Sequence, residues 1–424
     1  MRESFLHFIW QFQKFNTIEL TTHDGLSVQI YAIGHYNTNA GPDFLNAKLL
    51  IDDIMWYGHI ELHIRSSDWN KHKHQHDEAY NNVVLHVVWE HDIEVQSVNG
   101  ASLPVLELQD RIHPELLRKC NQLIKSPEQI PCAAQFGRVR DIDKLSMLDQ
   151  MGVQRLKQKS EVILNLLEKN KGSWEETTYQ LLAKNFGFKT NDEPFLKLAQ
   201  SLHHKTLIKH AGQPLPVAAL IFGMAGFLHG DLDTYGHELN KEYDYLSKKY
   251  KLQGFELLQA EWKYLRLRPG NFPTVRLAQF AAFMTRNVKC FDQFIHYQKT
   301  KDLLTLFEVD VDDYWQQHYD FGKASNRSQN AMGKSSIDLI LINTVAPLLA
   351  SYSQYTDEIS FMDKAIDLLQ TVKAERNHIL TMWGELGFQV KDAFDSQALI
   401  ELRNEFCLKK KCLSCKIGVN LINS

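Results

Sequence analysis

The chain has 424 residues, of which 44% are hydrophobic, 23% charged and 11% aromatic. That is enough apolar mass for two or three cored domains, and it excludes collagen-like, mucin-like and disulfide-scaffold classes. A formal charge of −4 supplies no global basic field, so a DNA or RNA partner would have to be held by a local basic patch.

The first residues, Met1-Arg2-Glu3-Ser4-Phe5, lead into no uninterrupted apolar stretch with a cleavage site, so no signal peptide is expected. Phe5, Leu6, Phe8, Ile9, Trp10, Phe12 and Phe15 are apolar nearly all round and predict a buried helix. After His23-Asp24-Gly25 the texture changes to short β-rich runs at Ser27 to Ile33, Phe44 to Ile51, Ile54 to Ile64, Val83 to Glu90 and Leu103 to Leu108. Helix, strand, hairpin, loop, strand, strand predicts an α/β domain with a mixed sheet over residues 1–110.

From about residue 111 the pattern becomes helical, as in Leu145, Leu148, Met151, Gly152 and Leu156. Ser173 with Glu176 three residues on predicts a capping box. The runs Leu215 to Leu228 and Leu339 to Ala350 fall short of the roughly 18 apolar residues of a spanning helix and read as buried helices, with no membrane partner expected. Fold class is therefore α+β: the mixed-sheet domain, then a large all-α domain over residues 111–424 that ends in a cysteine-rich motif. Six cysteines are too few for a disulfide framework, which makes a reducing cytoplasm the expected location.

Ten of the 19 histidines lie before residue 100, and they accompany carboxylates. Glu61 and His63, at i and i+2 of one strand, project from one face. A carboxylate beside an imidazole can bind a divalent ion and help to activate water. The same pair also has the pattern of an ordinary wet strand face. With Asp52-Asp53 as a two-residue turn, hairpin pairing sets Asp43 beside Leu62 and leaves Glu61 facing away; an odd-length turn or a bulge near Pro42-Asp43 would bring Asp43 onto Glu61's face.

Pro42-Asp43, a hairpin, then Glu61-Leu62-His63 resembles the PD-(D/E)-x-K nuclease superfamily. The resemblance implies that Asp43 and Glu61 hold Mg2+ or Mn2+, that Glu3 on the first helix is a further ligand, and that phosphodiester bonds are hydrolysed. His63 stands where that superfamily carries Lys, so it would orient or deprotonate water without a lysine's steady positive charge. Arg65, Lys71 and Lys73 would meet phosphates beside the site. Over nearly its whole length the chain also resembles domain-of-unknown-function family 2851. That likeness is carried by Glu3 with Leu6 to Trp10, Asn39 to Phe44, Gly58 to His63, Ser67-Asp68-Trp69, Leu85 to Val88 and the C-terminal cysteines. No activity comes with that resemblance.

Two other functions fit the same residues. One is a nuclease-like binding or assembly protein without turnover, using the helical half as a surface for a protein partner. The other is a histidine-rich zinc hydrolase, which needs three of His63, His72, His74, His76 and His86 to converge. The run His72 to Asp77 reads more simply as a solvated loop, and His86 as a hydrogen-bonded buried histidine. Finally, Cys407, Cys412 and Cys415 form a C-x4-C-x2-C run among four lysines. They predict a Zn2+ or iron–sulfur site lacking one ligand, for which Cys132 is the candidate, with Cys290 and Cys120 behind it.

Overall fold

The computed structural model describes residues 2–97, 99–325 and 331–423. The chain divides into two compact units, Met1–Met147 with Leu402–Ser424, and Leu148–Glu401.

In the first unit, helix α1 (Glu3–Gln11) buries Phe5, Leu6, Phe8, Ile9 and Trp10. This leaves Glu3 and His7 one turn apart on its other flank. Strands β1 (Val28–Ala32), β2 (His35–Tyr36), β3 (Phe44–Ile51), β4 (Ile54–Arg65), β5 (Val83–Glu90) and β6 (Val105–Glu107) make one sheet in the order β1-β3-β4-β5-β6, with β2 also pairing β3. β1, β3 and β4 run antiparallel to their neighbours, whereas β5 joins β4, and β6 joins β5, in parallel. Parallel neighbours need a crossover. Between β4 and β5 it contains a short helix, α2 (Asp68–Lys71), and two 3-10 turns. β5 is buried from Val83 to Val88, as befits a parallel strand covered on both faces.

The hairpin holds the feature that positions the site. Ile51 pairs with Ile54 across Asp52-Asp53, and the register runs unchanged to Ala47 opposite Gly58. It then shifts, so that Phe44 pairs with Ile60. β3 thus carries one extra residue. Asn46 absorbs it in the left-handed region at φ 59°, its N–H donating to His59 Nδ1 at 3.2 Å. An inserted residue inverts the alternation of faces, and Asp43 comes level with Glu61 instead of Leu62.

The change from strands to helices near residue 110 is not the edge of this unit. Helix α3 (Pro114–Ile124), the turn Ala133–Arg138 and the returning segment 402–424 belong to it as well. Composition reports local periodicity, not the layer against which a helix packs. Helix α4 (Asp141–Lys169) begins in the first unit and ends in the second.

The second unit is helical, built on Tyr179, Phe186, Phe195, Phe222, Phe280, Phe283 and Trp315, all fully buried. Ser173 Oγ accepts the Glu176 N–H at 3.3 Å and caps the helix Trp174–Phe186, but the expected box is only half made, because the Glu176 carboxylate accepts from Gln180 and the His204 N–H instead. The continuous helix Lys334–Thr356 is long and apolar enough to cross a membrane. Here its Ile340, Leu341, Val345, Leu348 and Leu349 form part of the unit's core. The unit is not strictly all-α, since His318–Asp320 and Lys323–Ala324 form a two-stranded antiparallel sheet.

Candidate metal centre

β4 projects Glu61 and His63 from one face, and the crossover returns two more histidines to them. Trp69, with no exposed surface, anchors the crossover by donating through Nε1 to the Gln96 carbonyl at 3.0 Å. Lys73 then turns the chain in the left-handed region at φ 64°, and His72 and His74 on either side of it come back to His63. The His74 ring stacks on Tyr80 with centroids 3.8 Å apart. At the base of the crossover, Ser67 donates to Asp92 through its N–H at 2.8 Å and its Oγ at 2.7 Å.

His63 Nε2 lies 3.0 Å from His72 Nδ1, 3.5 Å from Glu61 Oε1 and 4.0 Å from Glu3 Oε1. His74 Nε2 lies 3.4 Å from Glu61 Oε1. Among the described residues, His63, His72 and His74 are the group of metal-type donors whose ligand atoms all fall within 4.8 Å of one another. Donors about 2.1 Å from a shared ion, at octahedral or tetrahedral angles, stand roughly 3.0–3.4 Å apart. The His63–His72, His63–Glu61 and His74–Glu61 pairs are close to that spacing at 3.0–3.5 Å.

The surroundings orient these donors. His63 Nδ1 is 2.9 Å from His86 Nε2, which leaves Nε2 facing the cluster, as an outer partner does for a ligating imidazole. Glu61 Oε2 accepts the Asp43 N–H at 3.1 Å, so Oε1 faces the histidines. Asp43 Oδ2 accepts the Leu62 N–H at 2.9 Å and lies 3.2 Å from His7 Nε2. His7 Nδ1 in turn is 3.4 Å from the Tyr36 hydroxyl. The buried atoms His74 Nε2 and His86 Nδ1 have no hydrogen-bond partner.

Burial, reinforced by the charge of Asp43, pushes the Glu61 carboxyl up to about 9. Burial and the neighbouring His86, His72 and His74 push His63 down to about 2; burial also lowers His74 and takes His86 to about 3. His7 moves the other way. Burial lowers it, but contact with Asp43 and the charges of Asp43, Glu3 and Glu61 outweigh that and raise it.

The family described as "Protein of unknown function (DUF2851)" matches residues 3–378. The chain belongs to that family. No curated protein and no solved structure matches it. In this DUF2851 protein the match takes in every residue of the histidine–carboxylate cluster as well as Cys132, and it ends before Cys407.

Sequence reasoning named Glu3, Asp43, Glu61 and His63, and the fold brings all four into one neighbourhood. Asp43 sits there with His7 on its Oδ2, a pairing the sequence did not suggest. His72 and His74 enter from the sequence only as candidates for a zinc hydrolase, their run reading more simply as a solvated loop; the fold brings both to His63. The available signal was two histidines flanking one residue directly after Ser67-Asp68-Trp69, whose indole had to be buried somewhere. His76 is exposed. Of the basic groups expected at phosphates, Arg65 is paired with Glu90 at 3.4 Å and Lys71 with Asp68 at 2.5 Å, while Lys73 is exposed.

Cys132, Cys407, Cys412 and Cys415 line one cavity of about 20 Å3 in the first unit. Cys120 is buried on α3. Cys290 lies in the core of the other unit, its thiol donating to the Asn287 carbonyl at 2.7 Å.

Proposed function

We propose that this DUF2851 protein is a metal-dependent hydrolase that cleaves phosphodiester bonds in nucleic acid. One observation carries the reading: the donor atoms of His63, His72 and His74 gather within 4.8 Å of one another beside a central strand, with Glu61 at 3.4 Å from His74 and 3.5 Å from His63. Three imidazoles and one carboxylate suit zinc or another imidazole-binding transition ion better than Mg2+, which prefers oxygen ligands. A bound ion would polarise a phosphoryl oxygen and make water a stronger nucleophile.

The chain's own residues supply the remainder. His7, held by Asp43 and raised in basicity by it, is the group suited to accept a proton from attacking water. Glu3, one turn before His7, faces His63 from the solvent side and would complete the ligand set. The succession of helix, antiparallel hairpin, crossover and parallel strand supports a phosphodiester substrate through its likeness to the PD-(D/E)-x-K arrangement. A groove of about 730 Å3, lined by Phe12, Tyr36, Arg140, Lys416 and Asn420 among others, shares Tyr36 with His7. It offers aromatic rings and the Lys416 ammonium to a nucleic-acid strand, while Arg140 is paired with Asp143 of the same groove at 2.7 Å.

The test is to incubate purified protein with single-stranded, duplex and branched DNA and with RNA, adding Zn2+, Mn2+ or Mg2+ in turn. Cleavage that needs a transition ion and vanishes in Glu61→Gln and His63→Ala is expected. Products unchanged in both variants reject the assignment, and so does the absence of cleavage with every substrate and ion.

A further inference from the structure

The strongest cluster outside the site already described is a set of cysteines in the same unit. We propose that Cys132, Cys407, Cys412 and Cys415 together ligate an iron–sulfur cluster. The assignment rests on their own geometry and is independent of the hydrolase reading.

Residues remote in sequence are brought to one place. Cys132 follows Ile130-Pro131 between α3 and α4, and the other three lie on the returning C-terminal segment. All four are buried free thiols around a cavity otherwise walled largely by Leu123, Pro131 and Phe406. Four thiols converging on an apolar hole is an odd way to build a core and an ordinary way to build a metal site. Lys411 lines the same cavity and follows Lys409 and Lys410, so positive charge stands beside the sulfurs that would carry negative charge.

The turn that carries Cys412 and Cys415 closes tightly on the helix Lys416–Asn423. A Cβ on Gly418 would come within 2.1 Å of the Cys412 carbonyl oxygen, so only glycine permits this approach of the two backbones, and Gly418 lines the same cavity as the cysteines.

Spacing separates iron–sulfur from zinc. Four thiolates on one zinc at about 2.3 Å stand roughly 3.8 Å from one another. Among the described residues no trio of cysteine sulfurs is packed within 4.8 Å, the spacing that the three histidines do meet. A cluster with iron at several corners holds its thiolates farther apart than a single ion does. The Cys412–Ser414 turn also packs against α1, which carries Glu3 and His7. The centre therefore stands behind a helix of the candidate site.

The experiment is anaerobic purification of the full chain, followed by iron, acid-labile sulfide and zinc analysis with a visible absorption spectrum. Stoichiometric iron and sulfide with broad visible absorption is expected, lost in Cys132→Ser and Cys412→Ser and retained in Cys120→Ser. Because the serine variants can fail to fold, the wild-type protein supplies a second readout: chelation or air oxidation should bleach the spectrum and lower the melting temperature together. Stoichiometric zinc without iron overturns the cluster assignment. A full cluster in Cys132→Ser overturns the ligand set, and a colourless, metal-free protein with unaltered stability overturns the site altogether.

Discussion

Two regions of the molecule bury charged and polar side chains, and they do so in opposite ways. In the helical unit, Arg155 donates to Gln397 at 2.6 Å and Glu401 at 3.2 Å, and Gln154 donates to Glu401 at 3.1 Å. Lys159 donates to Asn343 at 2.9 Å and Gln397 at 2.8 Å, and Gln397 donates onward to Glu375 at 3.0 Å. Donors there face acceptors and opposite charges face each other, which is how a folded interior keeps polar groups for structural purposes. Around β4, imidazoles crowd one carboxyl, the buried ring nitrogens His7 Nε2, His74 Nε2 and His86 Nδ1 lack a hydrogen-bond partner, and among the described residues no lysine or arginine is ion-paired to Glu61. The first network is complete by itself, whereas the second would, under the proposed function, be completed by a cation.

That contrast can be broken or sharpened by substitution. The largest effect is expected on function at the β4 cluster. Glu61→Gln or His63→Ala should lower hydrolysis on the order of 1,000-fold or more while leaving the metal-free protein about as stable as wild type, which parallel kinetics and calorimetry would show. A strongly destabilised Glu61→Gln protein would mean that this cluster, too, is structural. The helical network should behave in reverse. Glu401→Ala leaves the Arg155 guanidinium with Gln397 as its remaining acceptor and should cost about 2–3 kcal/mol in denaturant unfolding, with hydrolysis per folded molecule unchanged.

The pH dependence of the helical network follows from Lys159, which burial holds down at about 7 against an ordinary 10.5. Between those values the unfolded chain carries a proton that the folded chain lacks, so this residue makes stability climb with pH across that window. Below about 7 both states are protonated and its full penalty remains. The wild-type slope minus that of Lys159→Met should be positive from pH 7 to 10 and integrate to a few kcal/mol; equal slopes would refute it. A smaller change is expected from His86→Leu, which removes the partner of His63 Nδ1 and should weaken metal binding about 10–100-fold, read by competition with a chromophoric chelator. Smallest is Asp92→Asn. Burial raises this carboxyl, but the hydrogen bonds from Ser67 and Ser66 outweigh it and hold it at about 2. Their contribution should therefore be present above pH 4 and fade between pH 4 and 2, and the substitution should cost about 1 kcal/mol at neutral pH.

Much of the fold was legible because its signals are local. The five principal strands and the first helix show in the alternation and clustering of apolar residues, and Ser173 marks a helix start by its own chemistry. What remained hidden was set by tertiary pairing. The faces of the hairpin can be counted from its turn, but the residue that breaks the count, Asn46, has no side-chain pattern of its own. His72 and His74 look like loop residues because their burial comes from Trp69 and Tyr80, which no periodicity connects to them. Cys132 could be nominated by chemistry alone, since three thiolates ask for a fourth; its meeting with Cys415 depends on the whole intervening unit. The boundary at 110 marked a change of secondary structure and said nothing about the return of residues 402–424.

That return has a consequence for the order of events during synthesis. Domains generally fold as units as they leave the ribosome, and residues 148–401 form a unit whose sequence is continuous. The sheet emerges first, yet the unit containing it is closed by the segment from Leu402 onward, about 295 residues after the end of β6. The nascent chain is thus expected to fold from the middle outward: the helical unit can finish while the sheet still lacks its last layer, and the candidate centre on β4 gains the support behind α1 only once that segment has emerged. A candidate face whose scaffold is completed so late would remain incomplete in chains stalled before Leu402.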